Sequence, residues 1–159
     1  MIVKHYSCLA IHCKGGKSLN HKSTDDLQQA LLATADLDRF LEENQEKFLH
    51  EDVPALLNRI YQSKSISKAA LAKQAGMSSV YLHQVFSGRR TPSRNRMICI
   101  CLGMGATLEE TQEILKCCGM GLLYPKDRRD AIIIYGLLHN QGLFEVNDKL
   151  FCEQEDTLY

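Results

Sequence analysis

The sequence predicts an all-α protein of about eight helices, and three observations carry that prediction. Apolar residues recur every three to four positions over most of the 159 residues. A Ser, Thr or Asp stands before nearly every such run, where its side chain can accept the unpaired amides of a first helical turn. Only Ile132-Ile133-Ile134 has the β-branched density of a strand. Asp127 as a cap, the length of the run and the Asn140 to Gly142 stop favour a helix there too.

The elements follow in order. Residues 1 to 22 show neither helical nor strand period and contain Gly15-Gly16, so residues 1–24 read as a weakly ordered basic arm. Ser23-Thr24-Asp25-Asp26 opens an amphipathic helix whose apolar face is Leu27, Leu31, Leu37, Phe40, Leu41 and Phe48. Its other face carries Asp36, Asp38, Glu42, Glu43 and Glu46, and residues 25–52 are read as this acidic helix. Pro54 suits the first turn of a helix through Tyr61. Ser67 caps a helix over Lys68 to Gln74, which Gly76 ends, and Ser78 caps the next, over Ser79 to Ser87. Ser93 caps Arg94 to Leu102, and Thr107-x-x-Glu110 is a capping box before a helix from Leu108 to Cys118. Residues 119–159 form a helical extension, with helices over Asp127 to Asn140 and Leu143 to Glu153. The reading finds no internal repeat.

Charge is segregated along this chain. The formal net charge is zero, but residues 1–24 carry +4 and residues 25–52 carry −7. Val53 to Leu108 has eight basic residues and no acid, and the remainder carries −5. Acids serve solubility better than bases, so their exclusion from 56 consecutive residues is not explained by solubility and points to a polyanionic partner. No apolar run reaches the roughly 18 to 20 residues of a membrane-spanning helix. The start lacks the unbroken apolar region of a secretory signal, and the expected location is the cytoplasm.

The seven cysteines, Cys8, Cys13, Cys99, Cys101, Cys117, Cys118 and Cys152, include no C-x-x-C pair. They read as free thiols, and the apolar neighbours Ile98, Ile100 and Leu115 argue for burial of those in the middle of the chain. His5, Cys8, His12 and Cys13 are metal-ligand types without a recognised ligand spacing, so no metal or cofactor is expected.

The motif that carries function is Ile66 to Gly88. Two short helices are separated by a four-residue turn, with Ala72 small enough for close approach and Gly76 at the bend. Met77, Leu82 and Val85 fill the angle between the helices. In these residues, and in Ser87-Gly88-Arg89-Arg90-Thr91-Pro92 after them, the sequence resembles the Cro/cI, or XRE, helix-turn-helix regulators. The resemblance covers residues 53–117 and implies a five-helix, lambda-repressor-like domain at 53–118. It implies that the second helix of the motif enters the DNA major groove.

On that resemblance, Ser79, Val80, His83 and Gln84 meet base edges. Gln84 has the geometry for a bidentate contact to adenine, and Val80 suits a thymine methyl. Lys68, Ser78, Tyr81, Ser87, Arg89, Arg90 and Arg94 are the expected phosphate contacts, setting affinity and register. Two departures stand out: Lys68 where many members have Gln, and Ser87 where many have Asn. No Arg is aimed at base edges, which weakens discrimination at G·C pairs.

The expected function is sequence-specific binding of double-stranded DNA by a homodimeric transcriptional regulator, a repressor, reading a palindrome with half-sites about one helical turn apart. The alternative is a helix-turn-helix-fold protein-interaction module, an antitoxin or adaptor, whose acidic flanks engage a protein partner. Catalysis is disfavoured, because the acids are absent from the middle segment and the six His are scattered without a nucleophile or phosphate-loop motif. Thiol-based or ligand-based regulation through Cys99, Cys101, Cys117 and Cys118 stays open.

Overall fold

A computed structural model describes residues 24–45 and 52–159, and the chain divides into two compact units, Met1–Phe48 and Leu49–Tyr159. Among the described residues there are nine helices and no strand. The ninth arises in the first unit, where the single amphipathic helix expected from residue 25 is two: α1 (Thr24–Ala33) and α2 (Leu37–Glu43). Asp36 is the reason. Its Oδ1 accepts the Arg39 amide at 3.2 Å and caps α2, while its carbonyl accepts the Thr34 hydroxyl at 3.0 Å. Short polar side chains that bond their own backbone interrupt a helix in this way. Residues 46–51, the end of the expected helix, lie outside the described residues, as does the basic arm before Thr24.

The second unit holds α3 (Val53–Gln62), α4 (Lys68–Gln74), α5 (Ser79–Phe86), α6 (Arg94–Gly103), α7 (Leu108–Cys117), α8 (Arg128–Leu138) and α9 (Leu143–Cys152). The expected caps form. Ser67, Ser78, Ser93, Thr107 and Asp127 each accept the amide three residues on, and Thr107 with Glu110 closes the capping box. Each such cap contributes about 1 kcal/mol. Ile132-Ile133-Ile134 is helical, within α8. One core, including Leu57, Leu71, Ile98, Ile114, Ile133 and Leu150, runs through all seven helices. Each fully buried Leu or Ile contributes about 1.5–3 kcal/mol.

The absence of a repeat, expected from the sequence, is overturned. The hairpin α6–α7 and the hairpin α8–α9 are the same unit in a register of 35 residues. Gly105 and Asn140 take the left-handed conformation at equivalent corners (φ 63° and 52°), as do Gly119 and Gln154 after the second helix of each hairpin (φ 63° and 60°). After each hairpin the chain then folds back. Gln112 bonds both backbone groups of Leu123, at 2.8 and 2.9 Å, and Asn147 accepts the Leu158 amide at 2.8 Å. Leu123 and Leu158 are both buried. Asn147 is one methylene shorter than Gln112, and its Nδ2 has no hydrogen-bond partner among the described residues.

The two hairpins also clasp each other reciprocally. Arg94 of the first reaches Asp130 of the second at 3.0 and 2.8 Å, and Arg129 of the second reaches Asn95 of the first at 3.2 Å. Likewise α6 touches α9 and α7 touches α8. Such exchange is the signature of an approximate two-fold relation between copies.

Candidate nucleic-acid interface

The motif is built by α4, the turn 75–78 and α5. Gly76 bends the chain with φ 62°, a conformation that costs any other residue, and Met77 donates its amide back to Ala72 at 2.9 Å. Leu71, Ala72, Leu82 and Val85 are buried, which turns the opposite face of α5 outward. Ser79, Val80, His83 and Ser87 are exposed on α5 and its end, and Gln84 is half-buried. Val80 is 69% exposed, an apolar side chain that no fold contact requires at that place. The spacing of the inward residues leaves the expected base-reading set together on one face.

After α5, Gly88 takes φ 73°, and a Cβ there would stand 2.9 Å from Pro54 Cγ, so only glycine lets the chain pass over α3. Arg90 donates its amide to the Gln84 carbonyl at 3.2 Å, and its guanidinium lies 5.0 Å from the centroid of the Tyr81 ring. Arg89 and Arg90 are exposed. The Ser78 hydroxyl oxygen accepts the Tyr81 amide at 3.1 Å, and the Ser87 hydroxyl donates to the Gln84 carbonyl at 3.2 Å.

Two expected phosphate contacts are placed differently. Lys68 lies with Nζ 3.2 Å from the Phe86 centroid and 4.6 Å from that of Tyr61. Burial there lowers its pKa from the ordinary lysine value. Its charge is held over two aromatic faces, beside the N-terminus of α4. Arg94 is turned inward. Its Nε donates to the Gly121 carbonyl at 2.7 Å, and Nη2 donates to the Leu122 carbonyl and both Asp130 oxygens. With its guanidinium committed to the C-terminal extension, Arg94 does not stand with Arg89 and Arg90. The buried carboxylate of Asp130, 36 residues away in sequence, is what draws it in.

The surplus of positive charge in the middle segment is also smaller in space than in sequence. Arg59 pairs with Glu113 and Lys64 with Glu110, each at 2.7 Å, and Arg94 pairs with Asp130. Arg96 donates to the Gly76 carbonyl at 3.3 Å, bracing the turn of the motif. Lys73, Arg89 and Arg90 remain as exposed cations around α4 and α5. The bracing role of Arg96 was not read from sequence, since only the packing of α6 beside α4 brings it to Gly76.

Among the described residues no group of three His, Cys, Asp or Glu side chains could hold a metal ion. His5, Cys8, His12 and Cys13 lie outside those residues. Burial pushes the Cys99 thiol up to about 11 and Cys101 up to about 12, and Cys118, for the same reason, up to about 11. No helix among the described residues is long and apolar enough to cross a membrane. No protein-family model, curated protein or solved structure matches the chain.

Proposed function

We propose that the chain is a sequence-specific DNA-binding regulator of the Cro/cI type that works as a homodimer and inserts α5 into the major groove. The observation that carries this is the outward face of α5, where Ser79, Val80, His83 and Gln84 stand together with no carboxylate among them and with Arg89 and Arg90 following directly. Such a face offers donors, acceptors and one methyl-sized apolar contact to base edges, and two cations to a phosphate strand. Arg94 is not part of the proposed contact set, and Lys68 contributes through the field at the start of α4.

The test is a titration against the DNA upstream of the protein's own gene and a scrambled duplex, at several salt concentrations. The upstream duplex is expected to bind tighter, with a steep salt slope. Gln84→Ala is expected to reduce the preference for it by about 1–3 kcal/mol, and Arg89→Ala to weaken both duplexes and lower the slope by about one. Equal, weak binding to both duplexes removes sequence reading. No binding at low salt transfers the face, with its exposed Val80, to a protein partner.

A further inference from the structure

We infer that the cavity between α4 and the second hairpin is a binding site for a small amphipathic carboxylate, an apolar body ending in one anionic group. The cavity holds about 530 Å³, inside the range of roughly 300–1,000 Å³ that small-molecule sites occupy. It lies beside the contact of α4 with α6, where a Cβ on Gly103 would stand 2.9 Å from the Ala75 nitrogen. Ala70 on α4 and Gly105 and Ala106 at the corner of the first hairpin line it, and these small residues leave the space unfilled. A Cβ at Gly105 would meet nothing within 4 Å. The equivalent corner of the second hairpin, residues 140–142, lines the cavity too.

Floor and mouth differ in chemistry. The floor is Leu102, Ala106, Leu137 and Leu143, all buried. Towards solvent stand Lys73, Gln74, Asn140 and Gln141, and none of these side chains has a hydrogen-bond or ion-pair partner among the described residues. No carboxylate lines the cavity. Arg59, Lys64 and Arg94 of the same acid-free segment are each taken by a carboxylate of α7 or α8, so Lys73 is a cation that the packing leaves unneutralised, beside an apolar hollow.

That arrangement selects the ligand. The Lys73 ammonium offers three donors and the neighbouring amides offer more, which matches the acceptor oxygens of a carboxylate, while the floor takes the apolar body. A cationic ligand meets Lys73 as a like charge, and a neutral alcohol forgoes the ion pair. No residue of α5 lines the cavity, so the site stands apart from the proposed DNA face and does not rest on that reading. Because α4 forms one wall and the second hairpin another, an occupant binds only their folded arrangement and stabilises it.

Decanoate is the probe, with decylammonium and decanol as charge controls, in chemical-shift titrations and thermal melts of the full chain. A site open to solvent and a ligand of about twelve non-hydrogen atoms set the expected dissociation constant on the order of 1 mM. Wild type is expected to bind decanoate at least about fivefold more tightly than either control and to melt higher in its presence. Lys73→Glu is expected to invert the order of decanoate and decylammonium. Ala70→Phe, which fills the cavity and keeps Lys73, is expected to abolish binding and the melting shift, and Phe151→Ala, exposed on α9 outside the lining, to leave both unchanged. If Ala70→Phe fails to fold, the exposed Lys73→Glu variant carries the test. No saturable binding of decanoate up to about 10 mM, a control ligand that binds as tightly, a Lys73→Glu protein with the wild-type order, or a folded Ala70→Phe protein that still binds overturns the proposal.

Discussion

Arg94 and Arg129 do the same work in successive hairpins. Arg94 Nε donates to the Gly121 carbonyl at 2.7 Å and Arg129 Nε to the Asp156 carbonyl at 2.6 Å, each spanning 27 residues to tie the returning chain to the first helix. They differ in what the other end of the guanidinium meets. Arg94 has the carboxylate of Asp130, and Arg129 has the amide oxygen of Asn95.

That difference predicts unequal costs. Arg94→Ala leaves the buried Asp130 carboxylate without its cation and is expected to cost about 3 kcal/mol, while Arg129→Ala removes hydrogen bonds only and costs about 1–2 kcal/mol. Asp130→Asn is expected to recover part of the Arg94→Ala loss when the two are combined, because the neutral amide no longer needs the cation. Urea denaturation of wild type, the three single variants and the double variant checks this, and additive losses for Arg94→Ala and Asp130→Asn would count against the pair as the source.

Asn147→Gln is expected to stabilise the protein by about 1 kcal/mol. The added methylene lets one side chain bond both backbone groups of Leu158, as Gln112 does for Leu123. A melting temperature that falls instead shows that the pocket around Asn147 has no room for the longer amide.

Gly88→Ala is expected to cost more than Gly119→Ala. Both residues hold a left-handed backbone, worth about 1 kcal/mol to glycine, but only at Gly88 does the added Cβ meet Pro54, at 2.9 Å. Thermal melts should separate the two, and equal losses would mean that α3 shifts to make room.

Acid should weaken the protein through Glu110. Burial opposes its ionisation, but Lys64 and the Thr107 amide outweigh that and hold its pKa below the usual carboxylate value. A carboxylate with a depressed folded pKa contributes stability that is present above about pH 4.5 and lost as pH falls through the folded value. Glu110→Gln is expected to cost about 1 kcal/mol near neutral pH and little near pH 3. A loss that is constant over this range would assign the effect to packing.

Thiol reactivity should follow exposure. Cys152 is exposed and is expected to be alkylated in the native protein, whereas Cys99 and Cys101 are buried and react only on unfolding. Peptide mapping after a short pulse of iodoacetamide distinguishes them. Prompt labelling of Cys101 would instead reveal local opening of α6.

Much of this was legible in sequence because it is local. A cap, a left-handed glycine or a helical stripe is specified within about four residues, so α3 to α9 and the outward set on α5 could be read from Ser67, Gly76, Ser78 and the spacing of Leu71, Leu82 and Val85. The break at Asp36 is also local, but a cap residue inside an amphipathic run competes with continuation, and periodicity alone favours continuation. The repeat was harder. Its shared positions, Arg94 with Arg129, Glu110 with Glu145, Leu115 with Leu150, and Leu123 with Leu158 among them, are scattered among changed ones, and the corner residues Gly105 and Gly119 have become Asn140 and Gln154. Their equivalence shows in the hydrogen bonds each makes.

By itself the sequence determined which segments of the second unit are helical and where they begin, from α3 to α9, and which face of α5 is turned from the core, because capping and amphipathic spacing act over one or two turns. Tertiary structure decided which charges are available. Arg59, Lys64, Arg94 and Lys68 belong to a segment without acids, yet carboxylates from α7 and α8 take the first three and two aromatic rings hold the fourth. Charge interacts through space at a few ångströms, and only the packing of distant helices sets those distances.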